Sequence, residues 1–237
     1  MAELFGKATG YGGGKGGTQH MADFAVGHLG SNGITGGGIP IGTGAALSAQ
    51  MRRSGQVVGV FFGDGAINQG TFHESLNLAV QWQLPLLFVC ENNQWQAFVP
   101  RRETMPDRAI ADWAAGHGLP VETVDGNDVE AVHAAACQAI AAIRADGKPR
   151  FLELVTYRLR GHFEPDDQAY VDADELARWR ARDPVQNQAD RLLAQGALDA
   201  GSGDNCTVLV VDILDTPPAE TDELHDFFGD LPILAPP

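Results

Sequence analysis

One stretch constrains the fold more than any other, the segment from Val57 to Asn93. Val57-Val58-Gly59-Val60-Phe61-Phe62 is a short apolar run bounded by turn residues, and it reads as a buried strand. It runs straight into Gly63-Asp64-Gly65-Ala66. A helical pattern follows from Thr71 to Gln83, and a second apolar run, Leu84 to Cys90, ends at Glu91-Asn92-Asn93. An acid and an amide are therefore expected at the carboxyl ends of two strands, one βα unit apart. Open parallel sheets bind ligands at that edge. Asp64 and Asn93 are hard oxygen donors suited to a Mg²⁺ that also holds a phosphate. The glycines beside Asp64 let backbone N–H groups approach such a phosphate. Taken alone, Asp64 reads as a turn or helix-capping aspartate, and it is Asn93 in register that turns the reading to metal binding.

The same alternation continues. A small-residue helix is expected over about 41–53. Later come a short helix over 105–117, a strand over 120–124, and a helix over 129–145 capped by Asp128. A strand over 150–157 and two further helices, 174–181 and 184–198, complete the pattern. This predicts an α/β fold, a doubly wound parallel sheet with helices on both faces. Residues 1–200 form the expected domain. Residues 201–237 are an appendage, with a strand candidate over 206–214 and an acidic, Pro-rich tail.

A formal net charge of −15 argues against general affinity for nucleic acid or anionic membranes. No apolar run is long enough to span a bilayer, so a cytoplasmic location is expected. Cys90, Cys137 and Cys206 have no metal-like spacing and read as buried thiols. The loop Gly10 to Gly17 follows no strand, so it is expected either to be a linker or to lack the element that should hold it. His73, His117 and His133 lie in or beside helices and read as solvated. Trp82, Trp113 and Trp179 read as core or interface aromatics.

Five motifs in order then carry a resemblance. They are Gly14-Lys15-Gly16-Gly17-Thr18-Gln19-His20-Met21, Asn32-Gly33-Ile34-Thr35-Gly36, Gly63 to Gly70, Glu91-Asn92-Asn93, and Tyr157-Arg158-Leu159-Arg160-Gly161-His162. Together they resemble the α subunit of the E1 component of 2-oxoacid dehydrogenases of the pyruvate or acetoin type, an oxidoreductase family with the thiamine-diphosphate-binding fold. The resemblance implies thiamine diphosphate and Mg²⁺ as cofactors. It implies Asp64, Asn93 and the Trp95 carbonyl as metal ligands, and Gly65, Ala66 and Asn68 along the diphosphate. Arg158 would neutralise that diphosphate, and Gly33 and Thr35 would contact the aminopyrimidine. His162 would be the catalytic histidine at the mouth of the site, while His20 is as readily a loop residue. The implied reaction is oxidative decarboxylation of a 2-oxo acid, pyruvate first, or cleavage of acetoin. The implied partners are an E1 β subunit in an α2β2 heterotetramer and a lipoyl-bearing E2 acyltransferase.

The pattern departs from the family in places. The family's N-terminal portion, with a Tyr-Arg pair for the diphosphate and a further histidine, is not matched. Thr35 stands where a larger apolar residue is usual, and Phe163 replaces a serine phosphorylated in some relatives. An alternative follows from the first departure: a truncated, non-catalytic scaffold that binds partners without turnover. Gly203-Asp204-Asn205-Cys206 and the apolar residues after it resemble the last metal motif of type 2C metal-dependent phosphatases.

Overall fold

The computed structural model describes residues 1–106 and 108–200. The strand expected over 206–214, Asp204, Cys206 and the tail lie outside the described residues. The chain divides into two compact units, Met1–Leu192 and Leu193–Pro237, and the sheet and its helices belong to the first.

The elements run in this order: α1 (Gly38–Arg52), β1 (Val58–Gly63), a 3-10 turn (Asp64–Asn68), α2 (Gly70–Trp82) and β2 (Leu86–Asn92). A small hairpin follows, β3 (Trp95–Gln96) and β4 (Val99–Pro100). Next come α3 (Arg101–Thr104), α4 (Ile110–Ala115), β5 (Val121–Asp125), α5 (Val129–Asp146), β6 (Arg150–Val155), α6 (Ala173–Arg180) and α7 (Pro184–Ala200). Among the described residues, the main sheet has four strands in the order β1-β2-β6-β5, all parallel.

That order explains where the helices go. The steps β1 to β2 and β2 to β5 move one way across the sheet, and the step β5 to β6 returns. With right-handed crossovers, α2 and α4 must cover one face and α5 the other. The packing agrees. Val60, Phe62, Phe88 and Phe151 bury against Ile39 and Ala46 of α1, Phe72 and Leu76 of α2, and Ile110 and Ala114 of α4. The alternate residues Leu87, Val89 and Leu152 bury against Ala135, Ala139 and Ile143 of α5. β2 is covered on both faces, which is why its sequence is continuously apolar. The doubly wound parallel sheet expected from the sequence is present.

α1 lies close on β1. A Cβ on Gly42 would stand 2.9 Å from Val60 Cβ, so that approach needs glycine. The helix starts at Gly38, before the expected Ile41, with Pro40 in its first turn, where its missing N–H costs nothing. The helix expected over 105–117 is shorter, α4 alone, because Met105 precedes Pro106 and stays extended at φ −142°, and α3 ends before it at Thr104. Asp128 caps α5 as expected, accepting from Glu130 N and Ala131 N. Cys90 is buried, but Cys137 is exposed on the outer side of α5, which corrects its reading as a core thiol.

The glycine loop is the larger correction. It has an anchor, and the anchor is Glu3. Its carboxylate accepts from Gly12 N at 2.7 Å, Gly14 N at 2.9 Å and Gly16 N at 2.5 Å, and the residue is 3% exposed. Successive backbone N–H groups make an anion nest, here filled by the chain's own side chain. The Gly14 N–H, joined by those of Gly16, Gly12 and Gly17, holds the carboxyl below its usual range against the opposing effect of burial. Gly14 has φ 76° and would place a Cβ 2.4 Å from the Gly6 carbonyl carbon, so the nest closes only around glycine.

The sign of the Glu3 shift fixes a pH dependence. A lowered pKa gives stability present above the usual carboxylate range and lost as pH falls through the lower folded value. Glu3→Ala is expected to speed tryptic cleavage after Lys15 severalfold at neutral pH, and acidification is expected to loosen the wild-type loop. Equal cleavage rates in the two proteins would show that the nest does not hold the loop.

Candidate metal centre

Pairing of β1 with β2 sets Gly63 opposite Glu91, so both strands end together at the carboxyl edge. The chain leaves β1 through the 3-10 turn Asp64–Asn68, with Asp64, Ala66 and Ile67 buried. It leaves β2 through Asn93 and Gln94 into the β3–β4 hairpin. Gln96 of that hairpin covers the 3-10 turn: a Cβ on Gly65 would lie 3.2 Å from Gln96 Cγ. Asn68 Nδ2 points to Gln96 Oε1 at 3.5 Å. The two expected strand-end segments therefore meet.

Asp64 is 1% exposed, and neither carboxylate oxygen accepts a hydrogen bond. Buried polar groups are nearly always paired, and an unpaired buried carboxylate carries a large desolvation cost. That cost pushes the Asp64 pKa up to about 6. The nearby backbone N–H groups of Asp64 itself and Asn93, then Arg101 and Gln96, only partly oppose it. Gln96 Nε2 is likewise buried without a partner. A buried carboxylate without a full hydrogen-bond set at this strand edge suits a cation. Asn93 Oδ1 accepts from Trp95 N at 3.0 Å, so the amide and the Trp95 carbonyl belong to one turn. These oxygen donors fit Mg²⁺ in type. Among the described residues, no group of three or more His, Cys, Asp or Glu could hold a metal ion.

The remaining expected site residues fall into two groups. Gly65, Ala66 and Asn68 lie on the 3-10 turn beside Asp64. Gly33 and Thr35 are exposed on the segment leading into α1. That segment reaches the same turn through Gly36, whose Cβ position would contact Gln69 and Thr71 at 3.4–3.6 Å. Arg158 and His162 lie on the chain leaving β6. Arg158 N donates to Asn93 O at 3.2 Å. Its guanidinium donates to Arg160 O at 3.0 Å, Ala97 O at 2.7 Å and Tyr170 Oη at 2.8 Å. Arg158 thus braces the hairpin, with three of its N–H groups already used. His162 is exposed to a degree that leaves its ring open at the surface. The ring meets Phe98 edge-on at 5.6 Å, and the backbone N–H of His162 donates to Asp166 Oδ2 at 2.6 Å. His20 is also exposed, on the glycine-loop side.

Several contributors were not singled out in the sequence. Tyr170 Oη donates to Asp166 Oδ2 at 2.7 Å, linking Arg158 to the turn that carries His162. Arg101 is buried and its charge acts on Asp64. Neither carries a local signal beyond its residue type. His73 and His117 are not freely solvated as expected: His73 Nδ1 lies 3.1 Å from His117 Nε2, and both rings are part-buried.

A parallel α/β sheet with an acid–amide pair at adjacent strand ends defines the class of open α/β folds that bind ligands at that edge. The comparisons with known proteins narrow it. The family model for the dehydrogenase E1 component matches residues 1–214. The α subunit of acetoin:2,6-dichlorophenolindophenol oxidoreductase from Bacillus subtilis is 47% identical over 82% of this chain and 59% of its own length. The pyruvate dehydrogenase E1 subunit α of Zymomonas mobilis is 38% identical over 84% of this chain and 57% of its own. Among solved structures, a transketolase mutant from Pichia stipitis superposes on 72% of this chain and 31% of that one, with a TM-score of 0.45 at 20% identity. The chain belongs to the dehydrogenase E1 component family. It spans about three-fifths of the length of the curated relatives it matches.

Asp64 ties stability to pH. Its carboxyl titrates near 3.8 when unfolded and near 6 when folded. Between these values the folded chain keeps a proton that the unfolded chain has lost, so stability falls as pH rises through that window. The shift corresponds to a cost on the order of 3 kcal/mol at pH 8. Asp64→Asn is expected to raise the thermal midpoint of the chelator-treated chain at pH 8, with about half that gain at pH 5 and little at pH 4. A gain of equal size at all three pH values would mean that charge burial is not the cause.

Proposed function

We propose that this chain carries the α-type portion of a thiamine-diphosphate-dependent E1 site, acting on a 2-oxo acid or on acetoin. The observation that carries it is the orphaned Asp64 carboxylate, buried beside the turn that holds Asn93 and Trp95. Asp64, Asn93 and the Trp95 carbonyl would hold Mg²⁺. Gly65, Ala66 and Asn68 would line the diphosphate, and Gly33 and Thr35 the aminopyrimidine. When bound, the cofactor supplies the electron sink for cleaving the bond beside the substrate carbonyl.

The chain's own residues bind, orient and shield. Asp64, once paired with a cation, loses the cost of its unmatched charge. Arg158 clamps the Ala97 carbonyl and so holds the hairpin beside the 3-10 turn that would line the diphosphate. His162, beside Phe98, would exchange a proton with substrate, a task suited to imidazole near neutral pH. Higher identity to the acetoin-type relative than to the pyruvate-type one favours acetoin. A β subunit would complete the site in an α2β2 assembly, a lipoyl-bearing E2 would accept the product acyl group, and the location would be cytoplasmic. Among the described residues, no helix is long and apolar enough to cross a membrane.

The commitment of Arg158 to Ala97 and Tyr170 favours one competing reading, a scaffold that binds partners without turnover. Titration of the chain with thiamine diphosphate, with and without Mg²⁺, followed by tryptophan fluorescence, separates the two. Mg²⁺-dependent quenching is expected, lost in Asp64→Ala. A folded chain that shows no saturable response, alone or with a β subunit, would leave the scaffold reading standing.

A further inference from the structure

β6 reads Arg150-Phe151-Leu152-Glu153-Leu154-Val155, and the one carboxylate among its apolar residues is 1% exposed. A charge persists in a core strand where it meets donors. Glu153 meets three, from three elements. Oε1 accepts from Asn92 Nδ2 at 2.7 Å, at the end of β2. Oε2 accepts from Ala111 N at 3.0 Å in the first turn of α4, and from Thr123 Oγ1 at 3.2 Å on β5. α4 has no side-chain cap at its own N-cap residue, so Glu153 satisfies one of its open N–H groups.

The Asn92 arm leads onward. Asn92 Oδ1 accepts from Gln94 Nε2 at 2.8 Å and faces Gln94 N at 3.4 Å. Gln94 stands in the left-handed region at φ 68°. It separates Asn93 from Trp95, the residues proposed above to give the amide and carbonyl donors of the metal centre.

We infer that Glu153 is the positioning residue of this turn. Its carboxylate fixes which way the Asn92 amide faces, and the amide fixes the turn that presents Asn93 and the Trp95 carbonyl. The inference rests on the metal reading above and adds a residue that does not touch the ion. Polarity is the reason. Asn92 donates to Glu153 and accepts from Gln94 in only one orientation. Flipped, its Nδ2 would oppose the Gln94 N–H and its Oδ1 would oppose the carboxylate. Such outer partners change metal affinity by about 10–100-fold when lost.

Three variants test this. Glu153→Gln keeps the shape, but with its oxygen on Ala111 and Thr123 its amide faces the Asn92 amide, donor against donor. Asn92→Asp sets carboxylate against carboxylate. The double variant Asn92→Asp/Glu153→Gln reverses the bond: the amide introduced on β6 would donate to the carboxylate introduced at the end of β2, whose second oxygen still accepts from Gln94. Two measurements on the full chain apply, amide hydrogen exchange at Gln94 and Trp95 without metal, and affinity for Mg²⁺ with thiamine diphosphate. Each single variant is expected to speed exchange at both amides and weaken affinity at least tenfold, with the double within about threefold of wild type. Thr123→Val, which touches only the other arm, should leave exchange at Gln94 unchanged. Single variants that match wild type, or a double that exchanges as fast as the singles, would overturn the assignment. Should a single variant fail to fold, a folded double is the same rescue, and an unfolded double counts against it. If wild type binds no cofactor, the metal reading fails, while the exchange pattern still decides the role of Glu153.

Discussion

Parallel pairing of β1 with β2 is the constraint from which the site follows. Parallel strands point their carboxyl ends the same way, and the register of Gly63 with Glu91 ends both at one level. The connections that leave them must then share the same small space. The turn after β1 carries Asp64 inward, and the turn after β2 carries Asn93 and the hairpin over it. β6 extends the arrangement, because Thr156 N donates to Asn92 O and Arg158 N to Asn93 O. The edge is therefore built from main-chain hydrogen bonds before any side chain acts.

Three buried carboxylates show how differently the fold treats a charge. Glu3 is enclosed by backbone N–H groups and Glu153 by three donors from separate elements, while Asp64 has no hydrogen-bond partner. The first two consolidate structure. The third carries a desolvation cost that a proton relieves at low pH and that a bound cation would relieve at neutral pH, and such a local conflict is the kind expected at functional sites. Removing that conflict without removing the site is not possible with the side chain alone, which is the usual tension between stability and activity.

The sheet was legible in the sequence because its strands are short apolar runs separated by helices of regular period, and the strand-end acid and amide fell where a parallel sheet puts ligands. What was not legible depended on contacts distant in sequence. Nothing near Gly10 to Gly17 announces that Glu3 fills the loop, and a glycine run alone reads as slack chain. The late start of α4 was signalled by Pro106 but hidden by the helical spacing of Ala109, Trp113 and Ala114. Glu153 did leave a signal, a lone acid inside an apolar strand, yet its partners come from β2, α4 and β5 and no local pattern names them. Arg158 stood out as a diphosphate partner by motif, and its engagement with Ala97 and Tyr170 follows from the hairpin's placement.

The strand order has a consequence for how the molecule is made. Among the described strands of the main sheet, β6 comes last in the chain and sits between β2 and β5. Until residues near 155 have left the ribosome, β2 has β1 on one edge only and β5 lacks the strand that pairs with it, and the sheet cannot close. Long-range parallel pairings of this kind form slowly and leave edges exposed to wrong partners meanwhile. The strand that arrives last is also the one that brings Glu153 to Asn92, so the edge of the site takes shape at the moment the sheet becomes whole.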